Sequence, residues 1–421
     1  MIRDAEIETI IRTYATPLFE AASVDPRAVE VLIVEDTTLN AFVAGGQKIF
    51  VNTGLLLAAE TPNQLIGVIA HETGHIAGGH LARTHEALRN ASAQSILAMI
   101  LGGAAAAAGA GDAAAAIITG GATLSQRTFL QYTRAQEGAA DQAAVRMLDA
   151  TGQSAIGLME FIEKLGDQEL LVASSQDPYV RTHPLSQERV ASLRAHVATS
   201  RFKEAKDPPE FLVMHARMQA KLFGYLNGLV QTLRKYPESD TTLPARYARS
   251  IAYHRAHQSQ KALELLGDLI VDVPDDPYFH ELKGQILLES QQVDAAIPAY
   301  ARAVELQPDD AQLRLGLGQA QASSAGPAYI KDAVENLRAA TAIEPRNPTA
   351  WRWLATAYAR DEQLAMAALA TAERYVLTGV YRDALMQANR AMKGLPRGSP
   401  AYLRAQDLEG LAKQQLERQN Q

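Results

Sequence analysis

The sequence of 421 residues contains no cysteine, and this absence excludes two kinds of site at once. Disulfide bonds cannot form, and a metal cannot be held by thiolates, so a metal site has to use histidine and carboxylate side chains. A strong excess of one charge is also missing, because 40 lysines and arginines face 47 aspartates and glutamates. A net charge of −7 argues against a nucleic-acid partner, which normally requires a basic surface.

The N-terminus lacks an uninterrupted apolar run. Asp4, Glu6 and Glu8 fall among the first residues, so this stretch is not a signal peptide as written. Its apolar residues instead recur at helical spacing, which predicts a helix. They are Ile7, Ile10, Ile11, Tyr14 and Leu18.

Residues 95–123 form a longer apolar segment that is rich in alanine and glycine. The runs on either side of its "GAGD" are too short for each to span the roughly 30 Å of a bilayer core. Two interpretations stay open. The segment is either a hairpin that dips into a membrane surface, so that membrane contact is possible through 95–123, or a pair of helices over the functional site.

Short elements are predicted ahead of the central histidines. Residues 31–35 read as a buried strand, and 40–52 read as a β-hairpin. Thr61 is a suitable N-cap, Pro62 suits the first helical position, and Gln64 can close a capping box. The helix that begins here carries the sequence "HETGHIAGGH".

The first half of that sequence predicts a zinc site. His71 and His75 lie four residues apart, so on a helix they project about 40° from each other and can reach one metal. Glu72 lies beside them and can take a proton from an attacking water. This is the chemistry of the H-E-x-x-H pattern of zinc hydrolases.

The last histidine, His80, almost completes a longer protease pattern that would place its third histidine at position 81. On a continued helix His80 lies about half a turn from His71, on the opposite side. Gly78 and Gly79 could break the helix, but the pattern needs its histidine one residue later. We therefore expect His80 to pack or hydrogen-bond on the far face and not to bind the metal.

A second helix, predicted over about residues 125–150, contains "TRAQEGAAD". Glu137 and Asp141 lie four residues apart and share one face. Glu137 can be the third ligand, while Asp141 can accept the remaining ring N–H of a ligand histidine. The alternative, solvated helix charges, is weakened because the surrounding alanines predict a largely buried helix. Arg134 is expected to pair with a nearby carboxylate.

The C-terminal half contains a repeat. Pro237, Pro274, Pro308 and Pro345 are spaced by 37, 34 and 37 residues, close to the period of about 34 that is typical of tetratricopeptide repeats. We count four to five units, with short insertions in the turns, for instance at "SSAGP"; the alternative is a generic helical bundle. A hollow surface of such a stack usually binds peptide or protein. The candidate contacts, most of them also expected core positions, are Tyr247, Tyr253, Arg314, Trp351 and Tyr358.

Three stretches together resemble a known family: "NAFVAGGQKIFVNTGLL", "HETGHIAGGH" and "TRAQEGAAD". They are similar to the gluzincin metallopeptidases that include HtpX and the CAAX prenyl proteases, and the repeats point to the periplasmic branch of that family. The resemblance implies one zinc ion per chain on His71, His75 and Glu137, with Glu72 as the general base. It also implies a periplasmic location and a partner in the outer-membrane assembly machinery. Family members often have Ser-Arg where this chain has Thr133-Arg134.

The same family has an H-P-x-x-x-x-R element near its site, which here begins at His183. His183 is interpreted either as a fourth ligand in a resting state or as a donor to the oxyanion, and Arg189 could serve the latter role. Both are therefore catalytic candidates. The alternative is a loop histidine before the rigid Pro184, with Arg189 paired to a helix carboxylate.

The predicted architecture is mainly α. An α+β zincin-type metalloprotease domain, with a small β-sheet and active-site helices, covers 1–203, and an α-solenoid of tetratricopeptide repeats covers 204–421. A substrate peptide should pair with the hairpin through its backbone, which reads little sequence and suits unfolded or unassembled proteins. The substrate strand is Asn40, Ala41, Phe42 and Val43.

The predicted function is zinc-dependent endopeptidase activity on unfolded or misassembled proteins in envelope quality control, with the repeats binding clients or a partner. The alternative is a chaperone or adaptor that works through its repeats and has a latent or structural zinc site. Glu72 counts against this alternative, because a structural zinc site needs no general base.

Overall fold

The computed structural model describes residues 1–80, 83, 134–166, 183 and 186–419. The chain divides into two compact units, Met1–Leu222 and Phe223–Gln421. The division falls inside one helix, Pro209–Leu226, and the proposed domain boundary at 203 and 204 stays a prediction. The apolar segment 95–123 and the first part of the helix predicted over 125–150 lie outside the described residues.

The first unit combines a small sheet with helices, as predicted. Its described elements are α1 (Ala5–Ala21), β1 (Glu30–Val34), β2 (Ala41–Ala44), β3 (Lys48–Asn52), α2 (Thr53–Ala58), α3 (Pro62–Ala77), α4 (134–150), α5 (Ile156–Gly166), α6 (Gln187–Thr199) and α7 (Pro209–Leu226).

Helix α1 follows the predicted apolar spacing. The Asp4 side chain accepts a hydrogen bond from the Ile7 backbone N–H and so caps the helix. The apolar face of the helix is buried, including Ile7, Ile11 and Leu18.

The three strands form one sheet in the order β1-β3-β2. β1 is parallel to β3, while β2 and β3 are the antiparallel hairpin expected over 40–52. Gly45 and Gly46 turn the hairpin with positive φ angles of 61° and 98°, which glycine adopts without strain. Within the described part of the chain, β2 therefore lies at an edge of the sheet.

Helix α3 begins as predicted at Thr61, whose hydroxyl accepts from the Gln64 backbone N–H. The Gln64 side chain accepts from the Glu60 N–H instead of closing a capping box on Thr61. Gly74, between the two histidines of this helix, lies against α4, and a Cβ at this position would be 2.7 Å from the Ala140 carbonyl oxygen. The glycine therefore lets α4 approach the histidine-bearing face closely.

The second unit is a stack of helix pairs, which confirms the predicted repeats. After α8 (Leu229–Lys235) the pairs are α9 (Leu243–Arg255) with α10 (Ser259–Asp272), α11 (Pro277–Glu289) with α12 (Val293–Leu306), α13 (Ala311–Ser323) with α14 (Ile330–Ile343), α15 (Pro348–Arg360) with α16 (Leu364–Leu377), and α17 (Tyr381–Gly394) with α18 (Pro400–Gln419).

The turns explain the repeat spacing. Each repeat proline lies two residues after a helix end, and Asp276, Asp310 and Asn347 then cap the next helix through their side chains. The turn within the α13–α14 pair, residues 324–329, is longer than the turn within the α11–α12 pair, residues 290–292. The insertion expected at "SSAGP" is therefore present.

Most of the aromatic candidates for the binding surface are core residues. Tyr247, Tyr253 and Tyr358 are buried in hydrophobic clusters between helices. Trp351 is partly buried and packs against one of these clusters. No described helix is both long enough and apolar enough to cross a membrane.

Candidate metal centre

The site includes two histidines that lie one turn apart on α3. His71 is fully buried, and its Nε2 lies 3.1 Å from Nε2 of His75. The two rings meet edge to face. The predicted four-residue spacing therefore gives the expected convergence.

Helix α4 adds a carboxylate to the same centre. The Glu137 carboxylate is buried, with Oε2 3.4 Å from His71 Nε2 and Oε1 3.3 Å from His75 Nε2. The close approach of α4 at Gly74 makes this contact possible.

The loop residue His183 adds a fourth candidate ligand atom for a metal. Its Nδ1 lies 3.3 Å from Glu137 Oε2 and 3.4 Å from His71 Nε2. One ligand atom from each of His71, His75, Glu137 and His183 lies within 4.8 Å of all the others.

These distances are close to those between ligands of a metal ion such as zinc. Zinc–nitrogen and zinc–oxygen bonds are about 2.0–2.2 Å, so neighbouring donors in a tetrahedron are separated by about 3.3–3.6 Å. The separations of His71 from His75, Glu137 and His183 are 3.1, 3.4 and 3.4 Å. His71, His75, Glu137 and His183 could therefore hold one metal ion.

Outer partners hold the ligands in place. Asp141 Oδ1 lies 2.8 Å from His71 Nδ1, which directs the other ring nitrogen, Nε2, to the centre. Arg189 forms a bidentate pair with Asp141 at 2.6 and 2.9 Å, and its Nη1 lies 3.0 Å from Glu137 Oε2. Its guanidinium is therefore held by helix carboxylates. Arg134 is exposed and forms no ion pair with the described residues, unlike the pairing that we expected.

His80 has a place that sequence reasoning missed. α3 ends at Ala77, and the chain turns at Gly79 with a φ of 61°. This turn brings His80 Nδ1 to 3.0 Å from Nδ1 of His75, so the expectation of the far face was wrong. A Cβ at Gly78 would lie 2.4 Å from His80 Nε2, so a side chain at position 78 would displace the His80 ring. The Gly78-Gly79 pair was the signal for this turn.

The electrostatics of the cluster favour a cation. Burial disfavours a charged His71 ring, but hydrogen bonds to Asp141 and Glu137 outweigh it and raise the pKa of His71 to about 10. Burial lowers the pKa of His75 to about 4. Burial also opposes ionisation of Glu137, yet His183, His71 and His75 hold its pKa well below the usual value. The negative carboxylates thus attract positive charge to the centre.

Glu72 lies next to His183 at this cluster. It is fully buried, and neither carboxylate oxygen has a hydrogen-bond partner among the described residues. Its closest ionisable neighbour is His183, with Nε2 3.4 Å from Oε1. Burial raises the pKa of Glu72, which is the direction that suits a general base.

The edge strand β2 borders this centre. The Asn40 carbonyl oxygen accepts a hydrogen bond from the Asn52 N–H, so the backbone of Asn40 pairs with β3. Backbone groups alternate in direction along an antiparallel strand, so those of Ala41 and Val43 point away from β3, to the edge of the sheet. His183 Nε2 lies 3.2 Å from the Ala41 carbonyl oxygen. His183 therefore contacts both the open edge and the metal centre.

Comparison with known proteins agrees with these features. The sequence profile described as peptidase family M48 matches residues 2–197. A tetratricopeptide repeat profile matches residues 247–311, 282–325 and 330–388. The first profile covers most of the unit with the candidate metal centre, and the second covers most of the stack of helix pairs.

Two curated relatives match nearly the whole chain, and a third matches about half of it. A β-barrel assembly-enhancing protease of Yersinia pestis is 25% identical over 406 residues, which cover 95% of this chain and 82% of the relative. The protein of the same name from Escherichia coli (strain K12) is 25% identical over 407 residues, covering 95% and 81%. The metalloprotease LoiP of Escherichia coli (strain K12) is 27% identical over 207 residues, covering 48% and 74%.

Proposed function

We propose that this metalloprotease, which belongs to peptidase family M48 and carries tetratricopeptide repeats, is a zinc-dependent endopeptidase for unfolded or misassembled proteins. The observation that carries the proposal is that His71, His75, Glu137 and His183 each place one ligand atom within 4.8 Å of the others, beside the buried carboxylate of Glu72. A bound zinc ion would lower the pKa of a water molecule and polarise the scissile carbonyl.

The side chains around the proposed metal have separate roles in catalysis. Glu72 accepts a proton from the attacking water and delivers it to the nitrogen of the leaving peptide as the C–N bond breaks. Asp141 keeps the His71 ring in one tautomer, and Arg189 keeps Asp141 in place through two hydrogen bonds. We therefore propose Arg189 as a positioning residue, whereas the oxyanion role considered for it would require it to leave these carboxylates.

The open edge of β2 supports the substrate class. An extended peptide can pair with the outward backbone groups of Ala41 and Val43, and such pairing reads little side-chain sequence. Locally unfolded chains provide extended segments, whereas compact domains do not. The predicted substrate strand from Asn40 to Val43 is retained on this basis.

The setting is proposed from the relatives. Two of the relatives are named for the assembly of β-barrels, which are outer-membrane proteins in bacteria. We propose a periplasmic location, quality control of envelope proteins, and a protein partner on the repeats at the assembly machinery.

Zinc dependence has a direct test. The purified chain should contain about one zinc per molecule, the count set by one cluster of ligands, and should digest an unfolded casein substrate. A chelator should stop the digestion, and added zinc should restore it. Digestion that continues unchanged after the metal has been removed would contradict the proposal.

His183 is proposed as a resting-state ligand that closes the fourth position. Replacing His183 by alanine should raise the rate of casein cleavage by about tenfold, which corresponds to a free-energy difference of about 1.4 kcal/mol. His196→Ala, which removes a partly exposed histidine paired with Asp149, is the matched control. A loss of cleavage in His183→Ala would instead assign His183 to catalysis. An unchanged cleavage rate would exclude both the resting-state role and the catalytic role. Zinc content should be measured in parallel.

This resting arrangement also favours a second candidate function. Because His183 contacts both the centre and the Ala41 carbonyl, the chain could be held latent and act as an adaptor through its repeats. Cleavage by the unmodified chain separates the two functions, since an adaptor with a permanently closed site digests nothing.

His80 is expected to support the His75 ligand. Removal of an outer hydrogen-bond partner of a metal ligand typically lowers metal affinity by about 10- to 100-fold, so His80→Ala should bind zinc that much more weakly. Competition with a zinc indicator dye measures this affinity. His257→Ala, an exposed histidine in the repeat unit, should leave it unchanged. Equal affinities in the two variants would refute a supporting role for His80.

A further inference from the structure

A groove in the repeat unit carries positive charge only. It has a volume of about 340 Å³ and is lined by residues of α15, α16 and α17. Each helix contributes one arginine, namely Arg352, Arg374 and Arg390. No aspartate or glutamate is among the described residues that line it, and its other walls include several alanines. The short alanine side chains leave open space between the guanidinium groups.

The three arginines are not engaged by internal carboxylates. None of them forms an ion pair within the described ranges, whereas Arg302 pairs with Asp275 at 2.6 Å and Arg404 pairs with Glu373. The guanidinium carbons of Arg352 and Arg374 lie 5.3 Å from the rings of Trp353 and Tyr375, respectively. Such ring contacts leave the N–H donors available. A concentration of unpaired positive charge is notable in a chain with a net charge of −7.

We infer that this groove, the arginine groove, binds an acidic peptide segment of a partner protein through two or more carboxylates. Guanidinium groups hold carboxylates by paired N–H···O hydrogen bonds, and three of them around one space suit closely spaced acidic side chains or a C-terminal carboxylate. Gln387 lines the same groove and offers an amide for the peptide backbone. The inference gives the chemistry of the partner that the proposed function assigns to the repeats, and it rests on that function.

Shape and composition favour a peptide over the other anionic macromolecules. Binding of single-stranded nucleic acid combines positive charge with aromatic platforms for stacked bases, and no aromatic residue is among those lining the arginine groove. Binding to a membrane surface needs an apolar face that enters the lipid. A volume of about 340 Å³ lies near the small end of the range of about 300–1,000 Å³ for ligand pockets, which suits a few side chains.

Fluorescence anisotropy on the full-length chain tests the inference. A labelled hexaglutamate peptide should bind, a hexaglutamine peptide should not, and the affinity should fall with added salt because the pairs are solvent-accessible. The combined Arg352→Gln, Arg374→Gln and Arg390→Gln variant should lose about tenfold or more in affinity, since three charge pairs disappear together. A matched control makes the same change of charge elsewhere: Arg27→Gln, Arg194→Gln and Arg302→Gln, three arginines paired to exposed or half-exposed carboxylates.

A second variant keeps the arginines. Thr356→Glu would place a carboxylate on the groove wall, where it should pair internally with the arginines and weaken peptide binding to a similar extent. Equal hexaglutamate binding by the triple variant and its control would overturn the inference. Tighter binding of oligothymidine or anionic vesicles, lost in the triple variant, would also overturn it.

The test is independent of proteolysis. Anisotropy reads peptide binding without any cleavage, and casein digestion is measured separately on the unmodified chain. Failure of hexaglutamate binding therefore contradicts the arginine groove alone, whereas failure of casein digestion contradicts the proposed activity alone.

Discussion

Replacement of Glu72 by glutamine is expected to reduce casein cleavage by about 100- to 10,000-fold while zinc content stays the same, because general acid–base catalysis contributes a factor of that size. The amide keeps the shape of the side chain but can neither take a proton from water nor return it to the leaving nitrogen. Both Glu72 oxygens lack hydrogen-bond partners among the described residues, so the exchange breaks no hydrogen bond there and alters the 3.4 Å contact between Oε1 and His183 Nε2.

The matched control for this variant is Glu60→Gln. Glu60 precedes the same helix, but its carboxylate is exposed and pairs with Lys164 on the surface. Cleavage rates of casein and zinc content, measured for both variants, distinguish a catalytic effect from a general loss of charge. Cleavage by Glu72→Gln at the unmodified rate would show that another group moves the proton and that the proposed mechanism is incorrect.

Replacement of Glu137 by glutamine is expected to cause the second large effect, which is loss of the metal itself. The carboxylate lies between the two histidines and also neutralises Arg189, so its removal takes away both a ligand and a counter-charge. Zinc affinity should fall by more than the roughly 10- to 100-fold that is typical of outer partners. Cleavage should fall in parallel and recover partly when excess zinc is added.

A suitable control for this variant is Glu163→Gln on α5, where the carboxylate pairs with the exposed Arg194. Zinc content after dialysis and thermal unfolding should be measured for both proteins. Retention of one zinc ion per chain by Glu137→Gln, with normal cleavage, would assign the third ligand to another residue.

Local patterns were sufficient for much of the fold. The apolar spacing in α1, the turn at Gly45 and Gly46, and the cap at Thr61 depend on neighbouring residues only, and the structure has all of them. The repeat prolines were equally informative, because each repeat is one helix pair that packs on its neighbours. Such signals can be read from nearby residues, without knowing how the rest of the chain packs.

Local patterns failed where the chain left a regular element. His80 was expected on the far face because a continued helix was assumed, yet α3 ends three residues earlier. The arginine groove was missed for a related reason. Its three arginines lie on three helices, and nothing in their spacing indicates that they share one space.

The sequence by itself determined the helix that carries the two histidines and Glu72, together with the repeat architecture, because helical periodicity sets which neighbours share a face. Tertiary structure decided which distant groups reach that face. The close approach of α4 at Gly74 brings in Glu137 and Asp141, and His183 arrives from another segment to meet both the centre and the edge strand. Such contacts depend on how separate elements pack, and that information is spread over the whole chain.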